Sequence, residues 1–153
     1  MKTIIELMTE QFQKAFEECG YSKDYARITV SNRPDLCEYQ CNGAMAGAKA
    51  YHKAPIMIAQ DVVAKLEGSG CFCDVQAVNP GFINLKLDER FVADYLDEME
   101  TDEDLGLNKT DKPKMIVIDY GGPNVAKPLH VGHLRSAIIG ESVKRIARKM
   151  GHN

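Results

Sequence analysis

Four residues in the later part of this 153-residue chain combine types and spacing that can do chemistry: Lys127, His130, Gly132 and His133. The two histidines stand three apart, so at the start of a helix they project from one side of the first turn. A helix beginning near Val131 aims free backbone N–H groups and its positive dipole end at the loop before it. That is a phosphate site by construction. Gly132 removes the side chain that would hold a ligand away from the backbone, and Lys127 adds a mobile cation. Such a cluster stabilises negative charge without covalent catalysis. It suits attack of a carboxylate on the α-phosphate of ATP with expulsion of pyrophosphate, where the protein supplies positioning and electrostatics.

Blander readings compete with this one. Histidines at i and i+3 can ligate a metal, but the local sequence offers no third ligand at metal-site spacing. A generic glycine-containing loop between a strand and a helix would also tolerate His-x-Gly-His, and that motif alone leaves it standing. Cys37, Cys41, Cys71 and Cys73 sit as CxxxC and CxC, neither a common structural-zinc spacing, so no structural metal is expected. With Cys19 they make an odd count in a chain with no export signal, which reads as reduced, mostly buried thiols.

The elements that must position the cluster follow from periodicity. Residues 115–118, Met-Ile-Val-Ile, are an apolar run typical of a strand buried in a parallel sheet. A loop with Gly121, Gly122, Pro123 and Pro128 follows. Leu134, Ile138, Ile139, Val143, Ile146 and Ala147 then recur at helical spacing up to Gly151. Strand, loop and helix make the first half of a βαβ unit of an α/β, Rossmann-like domain, and the partner strand is not among these residues.

The earlier part reads as a separate α+β domain. Ile4 to Cys19 carry helical spacing ended by Gly20. Residues 27–30 and 36–40 flank a turn-like Ser31-Asn32-Arg33-Pro34 and read as short extended segments. An Ala-rich helix spans 43–52, and Pro55 opens another with Ile58, Ala59, Val62 and Leu66 inward. Residues 72–78 and 82–87 form a hairpin through Asn79-Pro80-Gly81. Asp88 caps a last helix expected to turn Phe91, Val92, Tyr95 and Leu96 inward. The polar, aperiodic stretch 104–113 is the expected linker between a domain over 1–103 and a second over 114–153, the latter truncated.

Composition excludes several classes. Hydrophobic residues at 44% with 27% charged suit a globular chain rather than a disordered one. No apolar run reaches the ~20 residues of a membrane span, and Glu6 and Glu10 interrupt what would be a signal peptide, so the cytoplasm is expected. A net charge of −3 rules out a uniformly basic nucleic-acid binder. The distribution is uneven, however: nine acids face one arginine over 88–104, whereas from Lys127 onward six Lys or Arg face only Glu141. That later excess suits a phosphate-bearing ligand or an RNA backbone, and a solvated helix face equally well.

The flanks of the histidine motif narrow the choice. Pro123, Asn124, Val125, Ala126, Lys127, Pro128, Leu129, His130, Val131, Gly132 and His133, running into Leu134-Arg135-Ser136-Ala137-Ile138-Ile139-Gly140, resemble the HIGH region of class I arginyl-tRNA synthetases. Residues 38–46, Glu-Tyr-Gln-Cys-Asn-Gly-Ala-Met-Ala, and 79–84, Asn-Pro-Gly-Phe-Ile-Asn, are similar to blocks in that family's amino-terminal domain. The resemblance implies an arginine–tRNA ligase, a monomer using ATP with Mg2+, of which this chain is an amino-terminal fragment expected to be inactive alone.

It also implies roles. His130 and His133 would bind ATP and stabilise the α-phosphate transition state, Gly132 would admit the nucleotide to the backbone, and Lys127 would approach the phosphates. Asn124 and Asp119 would hold the arginine. The first domain resembles a module that packs on the tRNA elbow, with Tyr39, Gln40 and Asn42 as candidate contacts to tRNA(Arg). Tyr39 is equally readable as core, and Asn42 as a cap of the Ala-rich helix. One departure stands out: the family usually has serine near the positions of Gly121 and Gly122, so a serine contact to the amino acid is absent.

Overall fold

Thr3 opens the first helix, α1 (Ile4–Glu18), through a reciprocal cap: its hydroxyl accepts from the Glu6 N–H at 3.3 Å, and the Glu6 carboxylate accepts from the Thr3 N–H at 2.7 Å. The computed structural model describes residues 1–123 and 126–153. They fall into two units, Lys2–Thr101 and Asp102–Asn153 together with Met1.

In the unit Lys2–Thr101, α1 leads through a 3-10 turn at Lys23–Tyr25 to β1 (Ile28–Val30) and β2 (Tyr39–Cys41). Next come α2 (Gly43–Tyr51), α3 (Pro55–Leu66), the hairpin β3 (Phe72–Val78) and β4 (Phe82–Leu87), and α4 (Glu89–Thr101). The sheet is antiparallel in the order β1-β2-β4-β3. Its inward side chains, Ile28, Cys41, Ile83 and Leu85, meet Met8, Phe12 and Phe16 of α1 and Ile58, Val62 and Leu66 of α3 in one core. Each large apolar side chain buried there contributes about 1.5–3 kcal/mol. α2 comes close enough to the 3-10 turn that a Cβ on Gly43 would lie 1.8 Å from the Tyr25 carbonyl oxygen, so only glycine fits. At the edge of the core Tyr21 donates to Asp61 Oδ2 at 2.6 Å, and Lys53 Nζ donates to both groups, tying the end of α1 to α3.

Three expectations about this unit meet the structure. The extended segment over 36–40 shortens, because Leu36 and Cys37 both donate to the Arg33 carbonyl and close a turn, leaving β2 to begin at Tyr39. Asp88 does cap α4, its Oδ1 accepting from the N–H groups of Arg90 at 2.9 Å and Phe91 at 3.4 Å. Yet α4 buries no residue, and Leu96 is 49% exposed. Val92 overhangs an open hollow of about 520 Å³ with Ile4, Val30 and Tyr39, so this helix covers a gap rather than closing a core.

In the unit Asp102–Asn153 the only helix of regular length among the described residues is α5 (Val131–Lys149). Residues 104–113, expected as a linker, are tied to its far end. Asp104 accepts from Lys149 at 2.6 Å and from Lys109 at 2.7 Å, and Thr110 N–H donates to the Met150 carbonyl. The strand expected at 115–118 is not formed. Met115 is 78% and Val117 89% exposed, and the segment's ties are Ile116 N–H to the Asn153 carbonyl and Asn153 N–H to the Lys114 carbonyl. A strand exists through a neighbouring ladder, and the two bonds to Asn153 do not extend into one among the described residues.

Candidate functional site

The start of α5 is built by the two histidines themselves. His130 is its N-cap, and its Nδ1 accepts from the Gly132 N–H at 3.1 Å. His133 returns the contact, its Nδ1 accepting from the His130 N–H at 3.1 Å while its own N–H donates to the His130 carbonyl. This is a capping box made of imidazoles in place of the usual hydroxyl and carboxylate. The two rings stand 4.2 Å apart, centroid to centroid. With Nδ1 as the acceptor in both bonds, the tautomer that fits them carries the ring proton on Nε2. The expectation of empty backbone N–H groups at this helix start is therefore corrected: two of them are occupied by Nδ1 atoms. Gly132 is required by the cap, since a Cβ there would lie 2.8 Å from His130 Cε1.

The histidines line an open cavity of about 880 Å³ whose other wall is the segment from Asp119 to Pro123, with Leu129, Leu134 and Ser136 around its floor. That wall is anchored by Tyr120, a residue that the motif does not single out. The Tyr120 ring lies on Gly140, where an added Cβ would fall 2.1 Å from Tyr120 Cγ. Its hydroxyl donates to Glu141 Oε2 at 2.6 Å. Glu141 also pairs with Lys144 and, at 2.9 Å, with Arg145, and the Lys144 ammonium sits 5.8 Å from the Tyr120 ring centroid. Lys144 first, then Tyr120 and Arg145, hold the Glu141 carboxyl down at about 2. A signal for this was present: glycine inside an otherwise apolar helical repeat marks a close approach.

Asp119 is exposed and borders the cavity beside Tyr120. Lys127 is exposed and is not among the cavity's lining residues. Asn124 and Val125, one expected to bind arginine and both part of the motif, lie outside the described residues. Among the described residues no three His, Cys, Asp or Glu side chains gather as a metal would need.

Residues 3–87 match the family described as the arginyl tRNA synthetase N terminal domain. The chain belongs to the arginyl-tRNA synthetase family. Residues 96–153 match the catalytic domain described for class I tRNA synthetases of the arginine type. An arginine–tRNA ligase of Agathobacter rectalis is 60% identical over the whole chain, and one of Alkaliphilus oremlandii is 51% identical over 99% of it. The chain spans about a quarter of the length of these curated relatives, 26% in both cases. Among solved structures, an arginyl-tRNA synthetase from Plasmodium falciparum superposes over the whole chain with a TM-score of 0.62 at 27% identity, and the match covers 30% of that chain. The Thermus thermophilus arginyl-tRNA synthetase shares the fold at a TM-score of 0.54.

The family's amino-terminal domain, matched over 3–87, thus falls within the α+β unit described above, and the histidine cap lies inside the catalytic-domain match over 96–153. The expected tRNA contacts separate within it. Tyr39 and Gln40 are neighbours on β2 and so point to opposite faces of the sheet. Tyr39 packs against the core, in register with Leu85. Gln40 lies on the other face, where its Nε2 donates to Asn84 Oδ1 at 2.9 Å. The strand register places Thr29, Gln40, Asn84 and Gln76 in one polar row across all four strands. Asn42 occupies the N-cap position of α2 but makes no side-chain cap bond. No helix among the described residues is long and apolar enough to cross a membrane.

Proposed function

We propose that these residues serve an arginine–tRNA ligase, in which arginine is activated by ATP and then transferred to tRNA(Arg). The imidazole capping box beside an 880 Å³ cavity carries this reading. Both Nε2–H groups donate to phosphate oxygens of ATP, and the helix start supplies a fixed positive potential for charge that develops at the α-phosphorus. The arginine carboxylate is the nucleophile and pyrophosphate the leaving group, so the protein needs no covalent intermediate. Asp119, on the opposite wall, holds the ammonium group of arginine, and Asn124 contacts the same substrate. Lys127 approaches the phosphates. Mg2+ accompanies ATP.

In the whole protein, residues 115–118 form the first strand of a Rossmann-like parallel sheet whose other strands lie outside this chain. The domain over 1–103 rests on tRNA, and the polar row through Gln40 and Asn84 is the surface that supports this best, because side-chain amides read the edges of unpaired bases. The protein works in the cytoplasm.

ATP–pyrophosphate exchange across the amino acids, with a protein of the relatives' full length carrying these residues, tests the activity. Arginine alone is expected to support exchange, and exchange driven by another amino acid would refute the reading. The 153-residue chain by itself is expected to form no arginyl-tRNA. Titration of tRNA against the chain should show binding that weakens as salt rises and weakens further in Gln40→Ala.

A further inference from the structure

Asp119 and the two glycines after Tyr120 form a wall that stands in open space: a Cβ placed on Gly121 or Gly122 would meet nothing within 4 Å, and Asp119 is exposed. Tyr120 lies in the middle of this wall and is fastened twice. Its ring fills the notch above Gly140 and its hydroxyl reaches Glu141, one turn or more beyond the cavity floor on α5. Glu141 is kept ionised, and so kept an acceptor, by Lys144 and Arg145 on the next turn. The histidine cap lies at the other end of the cavity and makes no use of these contacts. Two halves of one site thus have separate supports on the same helix.

We propose that Tyr120, through its bond to Glu141, is a positioning residue that sets the placement of Asp119 and so the affinity for the amino acid, without acting on the nucleotide half of the site. This rests on the functional reading above only in naming arginine as the ligand of the Asp119 wall. A bond from a hydroxyl to an ionised carboxylate is among the stronger side-chain hydrogen bonds. Its loss leaves the ring on Gly140, so Tyr120→Phe loosens the wall without emptying the notch.

The test compares Tyr120→Phe, Glu141→Ala and the double variant in the protein of the relatives' full length, by ATP–pyrophosphate exchange. Each single variant is expected to raise the KM for arginine roughly three- to tenfold while leaving the KM for ATP within about twofold. The double variant should be no worse than the poorer single one, because both remove the same bond. A parallel rise in both KM values, a loss confined to kcat, or additive effects would overturn the proposal. A second arm needs no substrate: in the 153-residue chain, Tyr120→Phe should lower the backbone NMR order parameters of Gly121 and Gly122 and leave those of residues 143–149 unchanged. Unchanged order at the two glycines would also overturn it. Should the wild type support exchange with a different amino acid only, the arginine reading fails, while the order parameters and the KM of that amino acid still judge the role of Tyr120.

Discussion

At the scale of single residues, the site depends on side chains that serve structure and chemistry with different atoms. His130 and His133 use Nδ1 to finish a helix, and the proposed function gives Nε2 to the ligand. Gly132→Ala tests this division. Alanine in a helix interior is worth up to about 1 kcal/mol over glycine, whereas displacing an N-cap costs about 1 kcal/mol. The added Cβ, 2.8 Å from the His130 ring, should push the imidazole out of the cap with little net change in melting temperature. The nitrogen chemical shifts of His130 will show the lost Nδ1 bond, and an unmoved ring refutes the account. Glu141 provides a pH prediction. Its carboxyl is held near 2, against an ordinary 4.5, so its contribution is fully present above about 4.5 and disappears as the pH falls through 2. Carboxyl chemical shifts of Glu141, followed from about pH 6 to about pH 1.5, should titrate near the lower value together with the Tyr120 ring signals.

At the scale of elements, the caps and breakers were readable because they act within a few residues. Gly20, Pro55, Asp88 and Gly151 stand where helices end or begin. Asp88→Ala, which removes an acceptor of two N–H groups, should destabilise the first turn of α4 by about 0.5–2 kcal/mol, measured as faster amide exchange at Arg90 and Phe91. What an element faces is a different matter. The period of α5 puts Leu134, Ile138, Ile139, Val143 and Ile146 on one stripe, yet each is between 48% and 59% exposed. Periodicity states that a face is apolar; only another element decides that it is covered. Residues 115–118 show the same for strands, since their apolar run has no ladder to join among the described residues.

At the scale of the whole molecule, stability is concentrated in the unit Lys2–Thr101. Leu85, fully buried on β4, and Leu96, half exposed on α4, show the contrast within one residue type. Leu85→Ala should cost about 2–5 kcal/mol and Leu96→Ala no more than about 0.5 kcal/mol, read from denaturant unfolding followed by circular dichroism. Equal costs would mean that the core does not lie where the sheet meets α1 and α3. The chain's own sequence determined most of the element boundaries, the hairpin and the glycine-rich approach to α5, because these depend on local dihedral preferences, periodicity and residue spacing, and it pointed to the family through the resemblance of residues 123–140 to the HIGH region. The tertiary structure alone decided that Tyr120 closes on Gly140 and Glu141 some twenty residues away, and which of the two strand neighbours meets the core, Tyr39, and which meets Asn84 across the sheet, Gln40. Those contacts arise when a helix and a distant loop, or four strands in register, come together, and spacing along the chain carries no record of which side chain will fill a given gap.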